Sequence, residues 1–341
     1  MRCALVFGGS GQLGIAVAEH LLASGWRVSA VTREGRILPN SLTGAGARPV
    51  NGSGLSRAQI IQAAEKPLDA VFDPTAYTEA DAVDLLAART RYGALVVASS
   101  SSVYRDAAGR SLDEAAETGF PQFGAPISED TSTVEPGLRT YSTRKVAMEQ
   151  TLLSSGAAAS VLRPCAIHGP GATHPREWWF IKRALDRRDA IPIAYGARSV
   201  FHTSGTGGIA SLAALCMDKP DARILNVADP TALPVGRVAA AISEVTGLAL
   251  PLRPFDGPPI GDSQVGGTPW STERPYVLDT TRAEDLGWDG GGEYRVQVAK
   301  ICQWVLRVHQ EGDWRSRFTR FARYGYDPFD YAAEDRVLAA L

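Results

Sequence analysis

The sequence predicts an α/β fold, a doubly wound parallel sheet with a smaller C-terminal α/β region that binds substrate. Three observations predict it. A short apolar run, Cys3 to Phe7, leads into Gly8-Gly9-Ser10-Gly11-Gln12-Leu13-Gly14 and then into a helical pattern. Strand-like and helix-like stretches then alternate through the first half, which implies parallel strands with helices on both faces. After Pro164 that alternation loosens.

The opening unit carries the most information. Ile15, Ala18, Leu21 and Leu22 recur at helical spacing up to Ala23. Strand, glycine turn and helix together form the phosphate-cradling start of a Rossmann-type dinucleotide fold. Two glycines lie in the turn, where a side chain would block a pyrophosphate, and Gly14 allows close approach of helix and strand. The helix N-terminus offers its N–H groups to phosphate. Further strands are expected at Val28–Val31, Ala47–Val50, Asp69–Phe72, Ala94–Ala98 and Ala159–Leu162. Helices are expected over Leu55–Ala64, Glu79–Arg91 and Arg139–Ser154. Ligands in such a fold bind beyond the C-terminal strand ends.

The stretch 105–138 breaks this rhythm. It is rich in Gly, Pro, Ser, Asp and Glu, and reads either as a surface insertion or as a lid. Residues 1–170 are assigned to the dinucleotide-binding domain and 171–312 to a substrate-binding region partly interleaved with it. Helices are expected at Trp178–Arg187, Gly208–Met217, Val235–Thr246 and Tyr294–Gln310, with a strand at Ile224–Val227. Prolines and glycines mark Leu250–Tyr276 as loops. The tail, 313–341, is rich in aromatic residues. It reads as a segment docked on the body or a second subunit, or, less readily, as a stacking face for nucleic acid.

Composition narrows the function classes. The 341 residues carry a net charge of −2, so no basic field draws in nucleic acid. The four cysteines, Cys3, Cys165, Cys216 and Cys302, are far apart, which suggests neither a zinc site nor a disulfide framework and predicts no metal. No apolar run approaches the ~20 residues that span a bilayer. The N-terminus enters the first strand without a leader pattern. A cytoplasmic protein with reduced thiols is expected.

Tyr141-Ser142-Thr143-Arg144-Lys145 sets a tyrosine and a lysine on one face of a helix. A phenol ionises near pH ~10. A neighbouring ammonium lowers that value, giving a general acid/base for neutral pH. The run Ser99 to Ser102 follows the fifth strand, where one hydroxyl can hold a substrate oxygen. Serine runs also satisfy their own strand-to-loop turns.

Glycine turn, strand-end serine and Tyr-x-x-x-Lys, in that order, resemble an extended short-chain dehydrogenase/reductase, the group of sugar-nucleotide epimerases, dehydratases and reductases. The resemblance runs to about Trp288. Gly8, Gly11 and Gly14 match the glycine fingerprint, with Gln12 and Leu13 between them. Ser100, four before Tyr104, matches the active-site Ser/Thr, and Tyr141 and Lys145 match the catalytic pair. Arg163-Pro164 and His168 to Gly171 match the segment lining the cofactor and substrate pocket. Leu286-Gly287-Trp288 matches a late signature. Asp73 to Tyr77 and Ser101 to Arg105 are most similar to a branch that includes chloroplast stem-loop RNA-binding proteins.

The resemblance implies hydride transfer by a nicotinamide cofactor. Tyr141 would exchange the proton, Ser100 would hold the oxygen, and Lys145 would bind the nicotinamide ribose and lower the phenol. Thr75, Ala76 and Pro164 would line the cofactor. Thr32 stands where an aspartate often bonds the adenosine ribose. Arg33 follows it, which favours NADP, while Glu34 keeps NAD as the alternative. Asn51 substitutes for an aspartate near adenine. Ser101 and Ser102 replace the Asp-Glu of 4,6-dehydratases, which argues against that reaction, and Gly205 replaces another common aspartate. Arg198 and Arg274 resemble arginines that clamp a nucleotide diphosphate, or are surface ion-pair partners. Arg176, with Trp178 and Trp179, forms a pocket wall or packs a helix. His168 and His202 are structural. The expected activity is oxidoreduction at a secondary alcohol or ketone of a nucleotide sugar. Epimerisation with retained NAD is the alternative, and a non-enzymatic RNA-binding protein the rival. A homodimer is expected by analogy.

Overall fold

The computed structural model describes residues 1–33 and 35–341. The first half alternates β1 (Cys3–Val6), α1 (Gln12–Ala23), β2 (Arg27–Thr32), α2 (Asn40–Gly44), β3 (Arg48–Asn51), α3 (Arg57–Gln62), β4 (Leu68–Asp73), α4 (Glu79–Ala87) and β5 (Tyr92–Ala98). Then come the one-turn α5 (Ala115–Thr118), α6 (Tyr141–Ser154), β6 (Ala159–Pro164) and β7 (Ala166–His168). The second half holds α7 (Trp178–Leu185), β8 (Ile191–Ile193), β9 (Thr203–Gly205), α8 (Thr206–Asp218), β10 (Arg223–Val227), α9 (Val235–Thr246) and β11 (Leu252–Pro254). It ends with α10 (Thr281–Asp285), α11 (Tyr294–Glu311), α12 (Trp314–Arg317) and α13 (Tyr331–Leu338).

Seven parallel strands form the main sheet in the order β10-β6-β5-β4-β1-β2-β3. The strand order reverses between β1 and β4, so the crevice for a ligand opens above their C-terminal ends. Period-two alternation sends Ala4 and Val6 to the face covered by α1 and α8, and Leu5 and Phe7 to the face covered by α3, α4 and α6. Both faces are buried, which is why these strands read as near-continuous apolar runs.

The expected elements of the first half stand in the structure with ends displaced by a few residues. The strands β7, β8, β9 and β11 were not expected. Each has three residues, too few to show an alternation, and they form two small parallel pairs, β7 with β9 and β8 with β11. β11 lies inside the stretch read as loops.

The stretch 105–138 is held down. Ile127 bridges to Leu278, and the Asn226 amide reaches the Ile127 carbonyl at 2.8 Å. Phe120 and Phe123 pack edge-on against Tyr276. A separate apolar core lies among α7, α9 and α11, and Trp314, Phe318 and Phe321 of the tail are part of it. The tail is thus docked on the body, the first of its two readings. None of the helices among the described residues is long and apolar enough to cross a membrane.

The tail's far end is latched by charge. Arg183, 2% exposed, lies 3.4 Å from the Trp179 ring centre and donates to Glu334 at 3.0 Å and to the Pro328 carbonyl at 2.6 Å. Glu334→Ala would strand a buried guanidinium, at a cost of about 3–5 kcal/mol. A clear drop in thermal midpoint is expected, with faster tryptic cleavage of residues 313–341. An unchanged midpoint would show the latch to be dispensable.

Candidate active site

The glycine turn is shaped by its own backbone. Gly8 has a φ of +63°, and a Cβ on Gly14 would stand 2.1 Å from the Gly8 carbonyl oxygen. Gly14 therefore packs α1 against the turn itself rather than against the strand. Gly11 caps α1 without a side chain, so Gln12 and Leu13 bring first-turn N–H groups with no side-chain partner at that cap. A Cβ on Gly8 would meet Thr75 at 2.8 Å, which puts the loop after β4 beside the turn. These residues fit a dinucleotide: an open cradle, a helix N-terminus, and a second loop across the crevice.

Around this cradle, Gly9 donates to the Val31 carbonyl at 2.9 Å, bringing the end of β2 with Thr32 and exposed Arg33 alongside. Glu34 lies outside the described residues. Asn51 is exposed, and its side-chain oxygen accepts from Ser53 N–H at 3.0 Å, an Asx turn of its own. Gln12 reaches the Gly169 carbonyl at 3.0 Å, closing the segment after Pro164 over the turn. The loop 74–78 is braced from below. Buried Asp73 receives Arg57 at 2.5 Å and the Thr75 N–H and hydroxyl at 2.6 and 2.7 Å.

The serine run divides. Ser100 is half-buried, and its hydroxyl accepts from Ser102 N–H at 3.1 Å. The Ser142 hydroxyl meets that of Ser102 at 2.9 Å, which ties the run to α6. Ser101, placed by the sequence on the substrate, is instead 2% exposed, and its carbonyl takes the Tyr276 hydroxyl. The single 3-10 turn Ser101–Val103 is what points it inward.

Tyr141 and Lys145 open α6 behind a reciprocal cap of Thr140 and Thr143. Asp113, from the irregular stretch, accepts Ser142 N–H at 2.7 Å. The Lys145 ammonium is buried and donates to the Ala76 and Ala98 carbonyls, both at 2.7 Å. It lies 4.4 Å from the Tyr77 ring centre and 5.7 Å from that of Tyr141. Burial lowers it to about 8, against the charges of Asp73, Glu149 and Asp81. Tyr141 keeps 38% of its surface exposed.

The net shift of the phenol is upward, opposite to the lowering expected from Lys145. Burial and then Tyr77 push Tyr141 above its ordinary value, with Asp113 adding to the rise, while the Ser100 hydroxyl and Arg320 act the other way. The reason is geometric: the ammonium is turned to two carbonyls beneath Tyr77.

Arg198 and Arg274 line one open pocket of about 430 Å³ with Tyr195, Ser199 and Thr272. Arg198 also pairs with exposed Asp256 at 2.9 Å. Arg176 lies elsewhere, its guanidinium donating to the Ile167 carbonyl at 3.2 Å. His168 and His202 are buried, each bonded to Asp229 at 2.8 Å, His202 through the backbone carbonyl. Asp229 also accepts Gly205 N–H at 2.7 Å, so a carboxylate reaches the place where the sequence shows only glycine. Asp113, Asp229, Tyr77 and Arg320 were missed by the sequence reading. Tyr77 alone had a local signal, since it ends the motif that begins at Asp73.

The model of the NAD dependent epimerase/dehydratase family matches residues 4–195, more than half of the chain. The chain belongs to that family. Its members are enzymes of the short-chain dehydrogenase/reductase type that work with NAD. The chain is similar to MoeE5 in complex with UDP-glucose and NAD, at 21% identity and a TM-score of 0.62, covering 90% of this chain and 99% of that one. It is similar to a UDP-glucose-4-epimerase from Stenotrophomonas maltophila with bound NAD and formylated UDP-arabinopyranose, at 18% identity and 0.67, covering 92% and 100%. A dTDP-glucose 4,6-dehydratase from Bacillus anthracis in complex with NAD follows at 14% and 0.65, covering 91% and 98%. At these identities the likeness establishes the fold. No curated protein matches the chain.

Gly14→Ala tests the cradle. The new methyl group meets backbone that cannot swing aside, so a stability loss of about 1–3 kcal/mol is expected. Titration of intrinsic fluorescence with NADH should show about tenfold weaker binding, equivalent to ~1.4 kcal/mol. Undiminished NADH affinity would separate the turn from the cofactor.

Proposed function

We propose that the chain moves a hydride between a nicotinamide cofactor and a secondary alcohol or ketone of a nucleotide-linked sugar. The observation that carries this reading is the convergence of Ser100, Tyr141 and Lys145 at the C-terminal end of β5, with the Lys145 ammonium bonded to the loop that faces the glycine turn. Gly8, Gly11, Gly14, Thr75, Ala76 and Pro164 would hold the cofactor, whose nicotinamide supplies the hydride site. Tyr141 gives or takes the proton at the substrate oxygen, and Ser100 holds that oxygen by a hydrogen bond. A phenol raised above its ordinary value stays protonated at neutral pH, so it is ready to act as the acid of ketone reduction. The Lys145 charge then stabilises the phenolate left behind.

Arg33, exposed at the end of β2, supports NADP, since a guanidinium suits a 2′-phosphate. The similar structures named above hold NAD, which supports the alternative of an epimerase that keeps NAD and returns the hydride to the same carbon. Arg198 and Arg274, on one pocket, support a diphosphate as the substrate's handle.

One assay decides between the two reactions. The purified protein is incubated with NADPH or NADH and the 4-keto derivative of UDP-glucose, or with NADP or NAD and UDP-glucose. Absorbance at the reduced-nicotinamide band and the stereochemistry of the recovered sugar are then followed. Net NADPH consumption supports the reductase; inversion without net redox change and with co-purifying NAD supports the epimerase; neither, with no cofactor bound, overturns both. Tyr141→Phe should retain cofactor and lose about 10²–10⁴-fold in turnover.

The charge on Lys145 adds a pH signature. With its value lowered to about 8, the ammonium is present below that pH and lost above it. In the reduction direction kcat/KM should hold level through neutrality and fall above about 8, as the phenolate loses its neighbour's charge. Lys145→Met should be slow throughout and lack that limb. A profile identical in the two proteins would remove Lys145 from the proton step.

A further inference from the structure

We propose that Tyr77 is a positioning residue for the reaction: its ring face holds the Lys145 ammonium and steadies the Tyr141 phenol beside it. The inference rests on the function proposed above and adds a fourth side chain to Ser100, Tyr141 and Lys145.

An ammonium has three N–H donors, and Lys145 is 1% exposed, so each donor needs a partner within the fold. Two go to the Ala76 and Ala98 carbonyls at 2.7 Å. Among the described residues, no carboxylate takes the third. Asp73 and Asp81 are spent on Arg57, at 2.5 and 2.6 Å, and Glu149 on Arg163, at 3.1 and 2.5 Å. The Tyr77 ring centre lies 4.4 Å from the ammonium, nearer than that of Tyr141 at 5.7 Å. At that range the negative face of an aromatic ring attracts a desolvated ammonium. The ring is therefore the partner on the third side.

The ring is held where it stands. Tyr77 N–H donates to Asp81 at 2.8 Å, and Asp81 shares a reciprocal cap with Thr78 at the start of α4. Arg57 grips Asp81 from α3 and donates to the Thr75 carbonyl at 2.8 Å. The rings of Tyr77 and Tyr141 stand 6.0 Å apart, inclined at 56°, within the range where aromatic pairs attract. Lys145, Tyr77 and Tyr141 thus form a closed triangle anchored by α3, α4 and α6. Its contacts are those of the Tyr77 ring, not of the Tyr77 hydroxyl. Tyr77 also keeps 46% of its surface exposed, so replacing it leaves the apolar core intact.

The triangle favours one protonation state. The ring attracts the charged lysine, and Tyr77 raises the phenol, second only to burial. A charged lysine beside a neutral tyrosine is the pair that can give a proton to a ketone oxygen. Tyr77 therefore biases the site toward its acid form.

The test follows Lys145 itself by nuclear magnetic resonance. It is one of five lysines in the chain, so isotope labelling at lysine Cε gives a simple spectrum, with Lys145→Met identifying its signal. Asp73, Asp81 and Glu149 favour this ammonium and Arg57 opposes it, and the variants retain all four. The unsubstituted protein should titrate with a midpoint of about 8. Tyr77→Leu keeps an apolar cover and removes the π face. Its midpoint should fall by about one pH unit, a tenfold change in the proton equilibrium. Tyr77→Phe should stay within about 0.3 pH unit of the unsubstituted protein. In reduction of the 4-keto derivative of UDP-glucose by NADPH, Tyr77→Leu should lose about tenfold in kcat with KM held within about twofold. Its alkaline limb should move with the Lys145 midpoint, and Tyr77→Phe should recover most of the loss. A midpoint that stays or rises in Tyr77→Leu, or an equal loss of turnover in both variants, would overturn the role. The Lys145 titration needs no substrate, so it decides the arrangement whatever the turnover of this ketone. If NADH and NADPH still bind while that titration fails, only this inference falls. If neither binds, the proposed function falls and takes this role with it.

Discussion

One buried ammonium holds the candidate site together. Lys145 sits on α6, yet its charge is spent on the carbonyls of Ala76 and Ala98. Those carbonyls belong to the loop after β4 and to the end of β5. Helix, loop and strand are thereby fixed to a common point, and Ser100 and Tyr141 take their positions from it. A lone charge with no water would be costly in such a place. Two carbonyls, the face of Tyr77 and the more distant carboxylates of Asp73, Glu149 and Asp81 offset most of that cost, and the lowering to about 8 is what remains.

The same constraint explains why Tyr141 departs from the simple picture of a phenol acidified by its neighbour. An ammonium committed to backbone acts on the phenol across 5.7 Å, measured to the ring centre. Burial and then Tyr77 dominate, and smaller effects come from two distant segments. Asp113 reaches α6 from the irregular stretch and disfavours the phenolate, whereas Arg320 reaches it from the tail and favours it. Two segments that look like appendages in the sequence thus bear with opposite sign on one proton.

The parts legible in the sequence are the local ones. Glycine spacing, the apolar runs of β1 to β6 and the four-residue step from Tyr141 to Lys145 all concern neighbours along the chain. Periodicity reports them because one strand or helix decides them. The rest depends on contacts across long separations. Asp229 fills the gap at Gly205 from 24 residues away. Asp113 meets Ser142 across 29 residues. Ser101 and Ser102 look equivalent to Ser100 on paper, yet a single 3-10 turn sends them inward. No pattern in the stretch 105–138 announces that Phe120 and Phe123 would find Tyr276.

The buried arginines show different ways of housing a charge within the fold. Arg163 is paired on both sides of its fork with Glu149, and Arg183 with Glu334. Each carries its carboxylate within the fold, although the buried Arg163 Nη1 has no hydrogen-bond partner there. Arg176 has the same burial problem and a different solution. Its one protein acceptor is a backbone carbonyl, its Nε is unmatched, and the Glu177 carboxylate bears on it more strongly than Arg320 does. A folded chain keeps such an arrangement only where other contacts over-determine it, here the Phe318 and Phe321 anchors and the His174–Tyr324 bond. The tail's aromatic residues then do more than bury surface: with the bond from Arg320 N–H to the Thr173 carbonyl, they fix the tail beside the turn that carries Arg176.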